Sequence, residues 1–99
     1  MRLEELILKV KEQNLTKTDL EGYCDQLASL LAQMFLEMSQ LEKEEALFMN
    51  GKEINQSAIS RKISWKATKS GLRLIELKRY ANATKTMIDS VKRRLYVFL

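Results

Sequence analysis

Residues 18–49 read TDLEGYCDQLASLLAQMFLEMSQLEKEEALFM, and this stretch decides the fold. Within it Leu20, Cys24, Leu27, Leu31, Met34, Met38, Leu41 and Phe48 follow alternating steps of four and three, interrupted by Glu45 where the pattern calls for an apolar residue. That spacing holds a row of side chains on one face of a helix and makes the heptad seam of packed helices. Thr18 and Glu21 have the spacing of a capping box, in which hydroxyl and carboxylate each satisfy a backbone N–H at the helix start. Asn50 and Gly51 favour the left-handed backbone that stops a helix. The spacing therefore predicts one acidic helix over 18–49, roughly 45 Å long.

On the C-terminal side, the polar stretch through Ser57 reads as a loop. Beyond it run two interleaved seven-residue series: Ile63, Ser70, Leu77, Thr84, Val91 and Phe98, alternating with Ala67, Leu74, Ala81, Ile88 and Leu95. They predict a long basic helix over 58–97. Its small seam positions (Ala67, Ser70, Ala81, Thr84) complement the larger Leu, Met and Phe side chains of the acidic helix, so the two are expected to pack as an antiparallel hairpin. Gly71 costs about 1 kcal/mol relative to alanine inside a helix, which points to a local bend or a close crossing there.

On the N-terminal side, Leu3, Leu6, Ile7 and Val10 recur at helical spacing and predict a short amphipathic helix over 1–13. The expected architecture is all-α: one domain over 1–99, a short N-terminal helix followed by a long antiparallel helical hairpin with heptad-like packing. Leu27, Leu31, Met34, Met38, Leu74, Leu77 and Ile88 form its core or oligomer seam. Tyr23, Leu30, Phe35, Trp65, Leu72, Ile75, Tyr80 and Met87 fall off both seams, and a homo-oligomer is the simplest way to bury them.

Composition narrows the function. The chain has 99 residues, no histidine, no proline, one cysteine and three glycines. Without histidine the commonest general base and the usual zinc ligand are lost, and no nucleophile–base pair or phosphate-cradling glycine loop is present. An enzyme is the least expected class, and no cofactor or metal is assigned. Cys24 sits at a seam position and reads as a packing residue in a reducing compartment, the cytoplasm. The most apolar stretch, Leu27 to Leu36, falls well short of the roughly 20 residues that span a bilayer, so no membrane association is expected.

Charge is strongly polarised along the chain. Residues 1–56 carry six Lys/Arg against eleven Asp/Glu, a net of −5, while residues 57–99 carry eleven against two, a net of +9. The acidic block Glu42, Glu44 and Glu45 lies at a helix C-terminus, where the macrodipole disfavours it and calls for a nearby cation. In an antiparallel hairpin Arg61, Lys62 and Lys66 are the candidates, and pairing of this kind would neutralise the asymmetry internally. The alternative starts from Lys62, Lys66, Lys69 and Arg73, spaced by four, three and four on a continuous helix, with Trp65 beside them and Tyr80 further along. Cations at such intervals neutralise successive phosphates and the rings stack unpaired bases, which suits single-stranded nucleic acid. A large ring beside a seam more often packs at a helix contact, and that reading of Trp65 and Tyr80 stays open. Lys92, Arg93 and Arg94 fan around the helix and are read as favouring its C-terminal dipole.

The opening Met1-Arg2-Leu3-Glu4-Glu5-Leu6, the long helix closing in Phe48-Met49-Asn50-Gly51-Lys52 and the basic last helix resemble the phage recombination-mediator proteins of the UvsY type. That resemblance implies an oligomeric helical protein that binds single-stranded DNA and helps load a recombinase in place of the single-strand-binding protein. Positions that are basic in that family are Glu44 and Glu45 in this chain, with Lys43 retained, so any nucleic-acid contact is assigned to Lys62, Trp65, Lys66, Lys69, Arg73 and Tyr80. Two functions are expected from these observations. One is a small recombination accessory that binds single-stranded nucleic acid; the other is a helical adaptor or inhibitor of a nucleic-acid-processing protein that binds no nucleic acid itself.

Overall fold

The structure is a computed structural model and describes residues 2–12, 14–50 and 57–98, with Ala58 described in its backbone only. Its elements are α1 (Leu3–Val10), α2 (Lys17–Met49), α3 (Ala58–Ala67) and α4 (Lys69–Tyr96), and the described residues contain no strand. Leu20 and Leu27 of α2 pack with Val91 late in α4, whereas Leu41 late in α2 packs with Leu74 and Leu77 early in α4. The all-α antiparallel hairpin expected from the seams is therefore present. The loop expected through Ser57 and the stop at Gly51 fall on residues 51–56, outside the described residues, as does Gln13.

The chain divides into two compact units, Met1–Gln33 with Ala81–Leu99, and Met34–Tyr80. In the first, Leu6, Val10, Leu20, Leu27 and Val91 are buried, with Cys24, Leu30, Met87 and Ile88 packed around them. Removing side chains of this size from water contributes about 1.5–3 kcal/mol each. Helix α1 supplies Leu6 and Val10 at i, i+4, with Leu3 and Ile7 half-buried on the same stripe, so it packs within its own chain. Arg94 of α4 anchors the end of α1, donating to the Val10 carbonyl and, at 2.9 Å, to the Glu12 carbonyl. The basic C-terminal cluster thus serves, through Arg94, another helix's unpaired carbonyls.

The start of α2 differs from the expectation by two residues. The capping box is Thr16 with Asp19: Asp19 N–H donates to Thr16 Oγ1 and Thr16 N–H donates to Asp19 Oδ2, both at 3.1 Å. Thr18 and Glu21 have equivalent spacing, but only the Thr16 phase places Leu15 before the cap and Leu20 at the fourth helical position. Those two leucines join the same apolar cluster, a hydrophobic staple that decides between the two threonines.

In the second unit Leu41, Trp65, Leu74 and Leu77 are buried, with Met34 and Met38 packed against them. The basic segment is not one helix. Thr68 has extended backbone (φ −72°, ψ 160°) and separates α3 from α4. Its Oγ1 donates to the Trp65 carbonyl at 2.6 Å and accepts from Gly71 N–H at 3.0 Å, so one hydroxyl closes α3 and opens α4. The break rotates α3 out of the seven-residue series: Ile63 is 65% exposed and Ala67 is exposed, while Trp65 turns inward at 5% exposure. An indole buries far more apolar area than an alanine, and this gain goes with the interrupted helix. The close crossing expected at Gly71 is real. A Cβ there would lie 2.0 Å from the Trp65 carbonyl oxygen, so only glycine lets the start of α4 approach the end of α3.

Phe98 also leaves the seam, at 47% exposure, because α4 ends at Tyr96. Phe48, the last seam position of α2, is 37% exposed, with its ring against Trp65. At the central positions the seams hold. Leu27, Leu74, Leu77, Ala81, Thr84 and Val91 are buried, and Leu31, Met34, Met38 and Ile88 are half-buried.

Candidate nucleic-acid interface

The residues that sequence spacing assigns to polynucleotide binding, Lys62, Trp65, Lys66, Lys69, Arg73 and Tyr80, all lie in the second unit, and the fold treats them differently. Lys62 and Lys66 stand one turn apart on α3, whereas Lys69 and Arg73 stand one turn apart on α4. Because Thr68 interrupts the helix between them, the four cations form two short rows on two axes and not one straight stripe.

Arg73 is engaged within the chain. Its Nε donates to Glu37 Oε2 at 3.1 Å, a second guanidinium nitrogen lies 3.0 Å from the same oxygen, and a third lies 2.6 Å from Glu76 Oε1. The hydrogen bond to Glu37 raises the Arg73 pKa above its ordinary value, opposed by partial desolvation and reinforced by the charges of Glu37 and Glu76. Arginine is charged throughout the physiological range in any case, and what the two carboxylates fix is where this guanidinium points. Arg73 is therefore removed from the set of cations offered to phosphate.

Trp65 is removed from the set of stacking rings. It is 5% exposed and lies against Phe48, with centroids 5.7 Å apart and planes inclined at 49°. A ring enclosed in this way holds the core together and presents no face to a base. Tyr80, on α4, keeps 39% of its surface exposed.

Lys62, Lys66 and Lys69 are exposed, and none makes an ion pair among the described residues. The internal pairing with Glu42, Glu44 and Glu45 does not form there: these carboxylates make no ion pair among the described residues either. The cation required at the end of α2 is Arg61, and it serves the backbone, donating to the Met49 carbonyl at 2.8 Å. This compensates the macrodipole through an orphan carbonyl and leaves the lysines available.

Two features of this surface escape a reading of spacing alone. Ile63 begins one of the seven-residue series and Ile59 belongs to neither, and they are 65% and 74% exposed, sharing the outer side of α3 with Lys62 and Lys66. The signal was local: Thr68 with Gly71 three residues later is a hydroxyl-capped helix start with a residue that permits close approach. No group of three or more Cys, Asp or Glu side chains able to hold a metal ion occurs among the described residues, and no described helix is long and apolar enough to cross a membrane. Comparison of the chain with family models, with curated proteins and with solved structures finds no match.

Proposed function

We propose that this protein is a helical accessory that binds single-stranded polynucleotide through its phosphate backbone, with Lys62, Lys66 and Lys69 as the contact set. The observation that carries this reading is that these three ammonium groups stay exposed and unpaired among the described residues although an acidic block of the same unit is also unpaired. Binding proceeds by counterion release: each neutralised phosphate of a single strand contributes about 0.7 to the slope of log K against log salt. Three contacts give a slope of roughly −2 on that basis. Base stacking by Trp65 has no part in it, and contacts to phosphate alone carry no sequence information, so binding is independent of sequence. In the setting that the UvsY-type resemblance implies, such a protein holds the strand while a recombinase replaces the single-strand-binding protein.

The test is fluorescence anisotropy of a labelled oligonucleotide at several salt concentrations. Lys66→Glu combined with Lys69→Glu is expected to weaken binding about tenfold or more and to flatten the slope, with helicity unchanged by circular dichroism. Unchanged affinity in the double variant overturns the reading.

One observation favours a protein partner instead. Ile59 and Ile63 expose most of their surface beside Lys62 and Lys66, an apolar row alongside a cationic one that suits an acidic protein with an apolar groove. Ile59→Ser with Ile63→Ser separates the two readings, because phosphate binding is indifferent to that change and adaptor binding is abolished by it.

A further inference from the structure

Helix α4 carries two apolar stripes. One, through Leu74, Leu77 and Ala81, is buried. The other lies on a different side of the same helix: Leu72, Ile75, Glu76, Arg79 and Tyr80, at i, i+3, i+4, i+7 and i+8, line an open groove of about 600 Å³. Leu72 is 58% exposed and Tyr80 39%, while Ile75 is half-buried. The order of chemistry along this face is palindromic. Reading inward from either end gives an apolar residue and then a charge, Ile75-Glu76 from one side and Tyr80-Arg79 from the other, with the two charges opposite in sign.

We propose that this face is where two copies of the chain meet, with their α4 helices antiparallel across a two-fold axis that falls between Leu77 and Lys78. Antiparallel apposition about that point sets Glu76 and Arg79, the two central positions of the face, in one layer with Arg79 and Glu76 of the second copy, with Ile75 flanking one edge of the contact and Tyr80 the other, each contact occurring twice, as an isologous interface requires. Parallel apposition sets Glu76 on Glu76 and Arg79 on Arg79 and is repelled by like charges. Glu76 is able to serve both partners, because Arg73 of its own chain lies 2.6 Å from Oε1 and the carboxylate has a second oxygen. Arg79 is exposed and makes no ion pair among the described residues, so its guanidinium is available to the second copy. The groove between Leu72 and Tyr80 accepts the apolar side chains of the opposing stripe. This surface shares no residue with the lysine set proposed for phosphate binding.

The experiment is sedimentation equilibrium of the full chain, without nucleic acid, at several protein and salt concentrations. The native chain is expected to reach the mass of two copies as concentration rises and to dissociate as salt increases. Arg79→Glu sets carboxylates against carboxylates at both pairs, and Glu76→Arg sets guanidinium against guanidinium. Each variant alone is expected to run as a single copy, its dissociation constant raised about tenfold or more. Mixed in equal amounts, the two variants restore both ion pairs, and the two-copy mass returns. Circular dichroism confirms that Arg79→Glu, an exposed substitution, retains its helices. A native chain that stays single at every concentration overturns the proposal, as does an assembly that Arg79→Glu leaves intact or a mixture that fails to restore the pair. Oligonucleotide affinity, measured separately on the same variants, reports on the lysine set and is expected to follow Lys66 and Lys69, not Arg79.

Discussion

The two units solve the same packing problem with different economies. In the first, α1 lays Leu6 and Val10 into a cluster with Leu20, Leu27 and Val91, and most of its large apolar side chains face inward. In the second, Trp65, Leu41, Leu74 and Leu77 make a smaller core, while Leu36, Leu47, Ile59, Ile63 and Leu72 are left more than half exposed. Both units use an arginine to satisfy carbonyls at a helix end, Arg94 at the end of α1 and Arg61 at the end of α2. A surface that keeps apolar side chains and unpaired lysines in water despite the cost of doing so is where binding is to be sought, and that surface belongs to the second unit.

The comparison is broken most directly at Trp65. Trp65→Ala removes the largest side chain of the smaller core and is expected to cost about 3–5 kcal/mol, read as a fall in the midpoint of thermal or urea unfolding. The indole is the only one in the chain. Its fluorescence in the native protein is expected to be blue-shifted, resistant to acrylamide, and unmoved by a saturating oligonucleotide; a large change on adding the oligonucleotide would restore Trp65 as a stacking platform.

Arg94→Ala sharpens the comparison from the other side. It leaves the α1 carbonyls at Val10 and Glu12 without their donor and is expected to cost about 1.5–3 kcal/mol, the range for hydrogen bonds to charged groups. Faster hydrogen exchange is expected in α1, while α3 amides keep their protection. Equal loss of protection in α3 would mean that α1 supports more than its own unit.

The smallest effect concerns the start of α2. Thr16→Ala is expected to cost about 1 kcal/mol, and Thr18→Ala within about 0.5 kcal/mol, because only Thr16 caps the helix. Reversal of that order in matched denaturation curves would return the cap to Thr18.

Much of the fold was legible in the sequence because helix packing is periodic. The four-and-three steps from Leu20 to Leu41 and the series through Leu74, Leu77, Ala81, Thr84 and Val91 are local patterns, and their burial follows from pairing the two faces. The cap at Thr16 was misread because two threonines have an acid three residues on, and the choice depends on where Leu15 and Leu20 go in three dimensions. The surface proposed for binding was the least legible part. Spacing puts Lys62, Lys66 and Lys69 among the candidates for a cationic row, but whether a cation is free is a property of its neighbours, and Glu37 lies thirty-six residues from Arg73.

The order of residues alone therefore determined helix, hairpin direction and the segregation of charge, since each depends on spacing within a few turns. Only the tertiary structure decided that Thr68 ends one helix and begins another, that Trp65 turns inward, and that Arg73 is neutralised while three lysines are not. Those outcomes rest on competition between contacts distant in the chain: the area an indole buries, the space a glycine leaves beside a carbonyl, and the carboxylate that happens to stand opposite a guanidinium.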